Sequence, residues 1–208
     1  QISTSNIEII YNKVDLEKFS ICVPKKFVSK KPVIISVGRL IEQKNRIPLI
    51  ESIKDMDVEL LIIGDGPELN NINKSIESNN LQSKVNIIKK IPNNELAQYY
   101  RSADIFALPM ENLDGIPIPF LEAMACGLPV VTTKHSDLFS EITDNAVVFV
   151  NNDPKEFSNV FKKIISDTKY KEKLIRKSLD IAKLIGGDIM EKKEIEMYQK
   201  NIKLTKWY

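Results

Sequence analysis

Two pairs of charged residues in this chain have the types and spacing to handle anions and hydroxyl groups. Arg39 and Lys44 stand five positions apart in GRLIEQK, and Asp114 and Glu122 stand eight apart in DGIPIPFLE. Two cations on one short loop suit a diphosphate, the guanidinium as a planar fork and the ammonium as a point charge. The two acids can accept hydrogen bonds from sugar or ribose hydroxyls, and Gly115 lets a ligand approach the backbone closely. A helix starting near Pro119 puts Glu122 in its first turns and Asp114 in the loop before it. Both then face a pocket at a helix N-terminus, where unused N–H groups and the helix dipole favour an anion. Taken singly, each has a plainer reading: surface cations, a turn-forming aspartate, a solvated helical glutamate.

The elements that must position these residues alternate along the chain. VIISVG (33–38) and VELLIIG (58–64) are continuous apolar runs rich in β-branched residues, the pattern of strands buried on both faces. VNIIKKI (85–91), DIFALP (104–109), LPVVTT (128–133) and AVVFV (146–150) continue the series. Between them lie helices. Asn45 can cap one from about Arg46, with Ile47, Ile50 and Ile53 on one face. Another follows Pro67, and a third follows Pro92-Asn93-Asn94 with Leu96, Tyr99 and Tyr100 on one side. Asp153-Pro154 reads as an N-cap and first helical position, and Asp188 with Glu191 as a capping box for a last helix. Alternating strands and helices predict an α/β protein: a Rossmann-like parallel sheet of about six strands with helices on both faces. In such a sheet ligands bind beyond the carboxyl ends of the strands, where Arg39, Lys44 and the acidic stretch all fall. The GDGP turn at 64–67 is not a dinucleotide fingerprint, because its third glycine position is Leu69.

Composition excludes several alternatives. The 208 residues carry a net charge of +2, so no polyanionic partner is demanded and no nucleic acid is expected. The charge is uneven: from Lys155 onward the net is +6, and before it −4. A basic C-terminal part is a solvated helix surface or one drawn to anionic headgroups. Two cysteines without regular spacing and one histidine make no metal-ligand set, and no apolar run reaches membrane-spanning length. A reducing, cytoplasmic setting fits.

The segments VGRLIEQKN, LLIIGDGPEL, VNIIKKIPNNELAQYYRSADIFALP and DGIPIPFLEAMACGLPVVTT occur in this order. Together they resemble the C-terminal, nucleotide-sugar-binding domain of GT-B glycosyltransferases, in the retaining group called glycosyltransferase family 4. The likeness covers roughly residues 7–166, and IEIIYNKVDLEKF is similar to that family's interdomain segment. It implies one half of a GT-B fold, with residues 1–30 as a connector, 31–166 as the donor-binding domain and 167–208 as helices that pack back on an N-terminal domain. It implies a retaining hexosyl transfer from a UDP- or GDP-sugar, without a metal or other cofactor. The acceptor would be a saccharide or a lipid-linked sugar held by the missing N-terminal domain, without which this fragment would transfer nothing. Polysaccharide or glycoconjugate synthesis at the inner face of a membrane, with peripheral attachment, goes with that reading.

The resemblance also assigns roles. Arg39 and Lys44 would bind the diphosphate and stabilise the departing nucleoside diphosphate, Asp114 would contact the transferred sugar, and Glu122 would hold the ribose hydroxyls. Backbone N–H groups of Gly115 and Ile118 would assist with sugar and phosphate. Lys90 and Ile91 would flank the base, and Gly64 joins the substrate-binding set at the end of the second strand. Some positions depart from the family pattern. Asp114 replaces a usual glutamate, Pro119 stands where an N–H would face phosphate, and Lys89 and Lys13 replace glycines. KHSDLFSE, with Ser136-Asp137, replaces a Gly-Gly loop; His135 within it is read as a loop residue without a catalytic role. The departures at Pro119, Lys89 and the Gly-Gly loop keep open a degenerate GT-B-like domain serving as a non-catalytic binding or assembly module; half of a sugar-nucleotide epimerase is a further alternative.

Overall fold

The computed structural model describes residues 10–111, 116–134 and 146–204. Six strands form one parallel sheet: β1 (Val33–Val37), β2 (Glu59–Ile63), β3 (Val85–Ile88), β4 (Ile105–Leu108), β5 (Val130–Thr133) and β6 (Val147–Val150). Their order is β3-β2-β1-β4-β5-β6. Every residue of β1, β4 and β5 is buried, which is why these strands read as unbroken apolar runs. Seven helices are described: α1 (Ile47–Ser52), α2 (Leu69–Ser78), α3 (Leu96–Ser102), α4 (Ile118–Ala125), α5 (Pro154–Ser166), α6 (Thr168–Leu184) and α7 (Gly187–Leu204).

The pleat divides the core in two, because successive side chains leave a strand on opposite faces. On one face Ile35, Leu61, Phe106 and Val130 pack with Tyr100 of α3, Phe120 and Leu121 of α4, and Ile181 of α6. On the other, Ile34, Leu60, Ile105 and Val131 pack with Ile50 of α1, Ile72 of α2, and Phe157 and Phe161 of α5. Val14 and Phe19 of the preceding segment join the first cluster. Asp153 caps α5 by accepting from the N–H groups of Lys155 and Glu156, with Pro154 in the first turn.

Chain direction across the sheet reverses between β1 and β4, which pair through Ile34 with Ile105 and Ile35 with Phe106. Successive units wind outward from that seam on both sides; in open sheets of this kind such a seam opens a crevice beyond the carboxyl ends of the strands, here those of β1 and β4.

Two expectations from the sequence are corrected. The strand foreseen over 85–91 stops at Ile88, because β2, its neighbour among the described residues, ends at the paired Ile63. Lys89 to Ile91 therefore lie beyond it. Asp188 and Glu191 form no capping box. The last helix already begins at Gly187, whose N–H is taken by the Val14 carbonyl at 2.8 Å. Glu191 pairs instead with Lys13.

Candidate active site

The first wall of the crevice is the loop after β1. Gly38, with φ +136°, turns the chain out of the strand, and Leu40 is fully buried. The loop is held to the one after β2: Gly38 N–H donates to Ile63 O, Leu40 N–H to Asp65 O, and Glu68 N–H to Leu40 O, at 2.9–3.0 Å. Close backbone contact explains the two glycines of GDGP. A Cβ on Gly64 would lie 2.1 Å from the Gly38 carbonyl oxygen, and one on Gly66 would lie 2.3 Å from that of Leu40. Gly64 thus packs directly against the loop after β1. Its N–H donates to Ile88 O at 2.9 Å, which ties in the end of β3. Beyond that end Lys90 is exposed, while Ile91 is half-buried against the core on the α3 side.

The structure brings Arg39 and Lys44 together and adds a third cation. Lys44 closes a 3-10 turn (Glu42–Lys44), and its Nζ lies 3.2 Å from where a Cβ on Gly38 would stand. Burial, and then the charges of Arg46 and Arg39, lower the pKa of its ammonium. Neither Arg39 nor Lys44 has an ion-pair partner among the described residues. Arg46 is 2% exposed, the bulkiest of the fully buried side chains. Its Nε donates to Ser36 Oγ (3.2 Å), Nη1 to the carbonyls of Arg39 (3.0 Å) and Lys44 (3.4 Å), and Nη2 to that of Gly38 (3.1 Å). Sequence reasoning missed it, although a signal was present. Arg46 precedes Ile50 by four and Ile53 by seven, which puts it on the buried face of α1.

The second wall follows β4. Glu111 N–H donates to Gln43 O at 2.8 Å, lacing this loop to the first. Met110 N–H donates to Thr133 Oγ1 at 2.9 Å, lacing it to the end of β5. Asp114 and Gly115 lie outside the described residues, as do His135, Ser136 and Asp137. The chain is described again at Ile116, whose carbonyl accepts from Asn12 Nδ2 at 2.8 Å. Helix α4 begins at Ile118, with Pro117 as N-cap, so Pro119 occupies the second helical position and not the first. Pro119 brings no N–H, and that of Phe120 goes to the Pro117 carbonyl at 2.9 Å. Ile118 keeps an N–H that the helix itself does not use.

Glu122 is not a solvated helical residue. It is 9% exposed, and Tyr100 Oη donates to its Oε2 at 2.9 Å. Burial raises the pKa of its carboxyl, against the opposing pull of the Tyr100 bond and of Lys18. Its Oε1 takes no hydrogen bond among the described residues. Tyr100 is fully buried among Phe19 and Phe106, and desolvation pushes its phenol well above the ordinary range. The sequence placed Tyr100 on one side of α3 with Leu96 and Tyr99; that its hydroxyl meets Glu122 was not read there.

Two grooves of about 520 and 560 Å³ lie away from this crevice. One is lined by Phe27, Glu59, Lys84 and Tyr99 near the amino ends of β1–β3, and the other by Lys13, Leu16 and Gly187. The chemistry-bearing side chains cluster at the crevice, so we place the candidate site there. Among the described residues no group of three or more His, Cys, Asp or Glu is arranged to hold a metal ion.

Comparison with known proteins bears on the family and the fold. Residues 20–180 match the family model described as Glycosyl transferases group 1. Over 188 residues the chain is 29% identical to the N-acetylgalactosamine-N,N'-diacetylbacillosaminyl-diphospho-undecaprenol 4-alpha-N-acetylgalactosaminyltransferase of Campylobacter jejuni, which covers 88% of this chain and 50% of that protein. The chain thus spans half the length of that relative. Its structure is similar to Anabaena HepE in complex with UDP, with a TM-score of 0.80 and 18% identity over 93% of this chain and 57% of that one. It is also similar to the C-terminal domain of a glycosyl transferase group 1 family protein from Francisella tularensis, with a TM-score of 0.68 and 23% identity over 82% of this chain and 96% of that one. These two likenesses bear on the fold.

Proposed function

The chain belongs to the glycosyl transferases group 1 family, and from that premise we propose that it is the donor-binding half of a retaining glycosyltransferase using a UDP- or GDP-sugar. One observation carries the proposal: Arg39 and Lys44, without carboxylate partners among the described residues, stand where the winding of the sheet reverses. Cations in that state are suited to a diphosphate. As the bond from the anomeric carbon to the diphosphate oxygen breaks, negative charge grows on the leaving nucleoside diphosphate. Arg39 and Lys44 stabilise that charge in a partly desolvated place, where each such interaction is worth roughly 10²–10³ in rate. They do so without a metal ion.

Glu122 accepts from the ribose hydroxyls through Oε1 while Tyr100 holds Oε2 in place. Asp114 contacts the transferred sugar. The N–H groups of Gly115 and Ile118 assist with sugar and phosphate, and Lys90 and Ile91 flank the base. UDP in the Anabaena structure supports a uridine donor. The diphospho-undecaprenol in the Campylobacter relative's name supports a lipid-linked acceptor, held by a domain that lies before this one in the whole enzyme. Work on such an acceptor puts the protein at the cytoplasmic face of a membrane. No described helix is long and apolar enough to cross one.

Calorimetric titration of the chain with UDP, GDP and their sugars tests the proposal. Saturable binding of one of them, abolished in the Arg39→Ala/Lys44→Ala double variant, is expected; no binding by any refutes it. A second reading, a non-catalytic binding module, is favoured by Pro119, which withholds an N–H from the phosphate end of α4. Transfer assays on the longer enzyme separate the two readings.

A further inference from the structure

Arg46 is a buried cation whose four hydrogen bonds all end on neutral oxygens. A charge removed from water is costly unless an opposite charge meets it, and removing one partner of a buried pair is strongly destabilising. No carboxylate pairs with Arg46 among the described residues. Burial brings its guanidinium down to about 10, which still leaves it charged at neutral pH.

The acceptors are informative. Gly38 and Arg39 open the loop after β1, and Lys44 closes it. One planar group therefore joins both ends of the segment that carries the two phosphate-facing cations. Ser36, a buried polar residue in a strand otherwise made of Val and Ile, takes the remaining Nε–H. Lys44 feels the guanidinium directly, since Arg46 heads the charges that lower its pKa.

We infer that Arg46 is a positioning residue for the diphosphate: it clamps the loop from beneath so that Arg39 and Lys44 are presented as a fixed pair, and its own unpaired charge adds to the field that the diphosphate meets. The inference rests on the donor-binding reading above and deepens it. It makes discrimination between a nucleoside diphosphate and the same nucleoside with fewer phosphates depend on a residue that touches neither.

The test uses the chain as it stands, with UDP, UMP, uridine and inorganic pyrophosphate as probes in calorimetry. Arg46→Lys keeps the charge but cannot fork to three carbonyls. It should weaken UDP and pyrophosphate by about tenfold and uridine by far less. Arg46→Met removes charge and donors together. It should weaken the same two probes by about a hundredfold and flatten the salt dependence of their binding, which Arg46→Lys should preserve. A purely structural role would lower all four affinities together, and that result overturns the inference. So does unchanged discrimination between UDP and uridine in both variants. Should the variants fail to fold, nitrogen-15 NMR of the unmodified chain decides. The Arg46 Nε–H should exchange slowly with solvent and shift on adding pyrophosphate but not uridine; no shift with pyrophosphate overturns the inference. An unmodified chain that binds none of the four probes refutes the donor-binding reading, and this one with it.

Discussion

The hydroxyl of Tyr100 donates to Glu122 Oε2 across 2.9 Å, with the tyrosine fully buried and the glutamate nearly so. A carboxylate in this position is fixed in orientation and short of water. The bond favours its charged form while burial opposes it, and burial is the larger influence. On the reading proposed above, Glu122 accepts from the ribose hydroxyls as the carboxylate. UDP affinity should therefore fall on acidification at a pH above the ordinary glutamate range. Removing the donor in Tyr100→Phe should move that limb to still higher pH, as read by calorimetry across a pH series.

The same balance acts on folding with the opposite sign. A carboxyl whose folded pKa is raised adds stability below its unfolded pKa, near 4.5, and that contribution is lost as pH rises through the folded value. Above the folded value the buried charge of Glu122 is a liability. Glu122→Gln should melt no lower than the parent at pH 7 while losing most of its UDP affinity, an exchange of function for stability. A large drop in melting temperature would mean the carboxylate is structural.

On the reading proposed above, Lys44 should set the alkaline limit of nucleotide binding. Burial and two neighbouring cations lower its pKa from 10.5. If Lys44 binds the diphosphate as proposed, UDP affinity should fall as pH rises through this lowered value, below the ordinary lysine range. Lys44→Ala should weaken UDP by about tenfold or more, in line with ~1.5–3 kcal/mol for a hydrogen bond to a charged group. In the Lys44→Arg variant the alkaline limb should disappear.

Gly64→Ala should cost roughly 2 kcal/mol or more in chemical denaturation, because the methyl group would stand 2.1 Å from the Gly38 carbonyl oxygen at φ +152°. The strain falls on the loop bearing Arg39, so UDP affinity should drop as well. Asp153→Ala provides the contrast. Losing the α5 cap should cost ~1 kcal/mol with no change in nucleotide binding.

The sheet was legible because β1, β4 and β5 are buried on both faces and carry no polar alternation to confuse with a helix. The cap at Asp153 was legible because its partners are two and three residues away. Contacts between distant segments were not. The contact of Gly187 with the distant Val14 carbonyl goes with a helix that already begins at Gly187, so Asp188 lies inside its first turn and is not its cap. The length of β3 was decided by where β2 stops, and Pro119 moved to the second helical position because α4 starts one residue earlier than its proline suggested. Glu122 and Arg46 show the same limit within the site. A charged residue in a helical pattern reads as solvated until its partners, here Tyr100 and a ring of loop carbonyls, are brought to it by the fold.

The loop from Gly38 to Asn45 is held on three sides: by the β2 loop, by Glu111 and by Arg46. A surface fastened in this way has little left to rearrange when an anion arrives. Capture of a diphosphate should then be a single encounter step, with an observed rate that rises linearly with nucleotide concentration and shows no plateau. That rate should fall with ionic strength, since charge steers the approach. Differences among nucleotides sharing the diphosphate should appear mainly as differences in residence time.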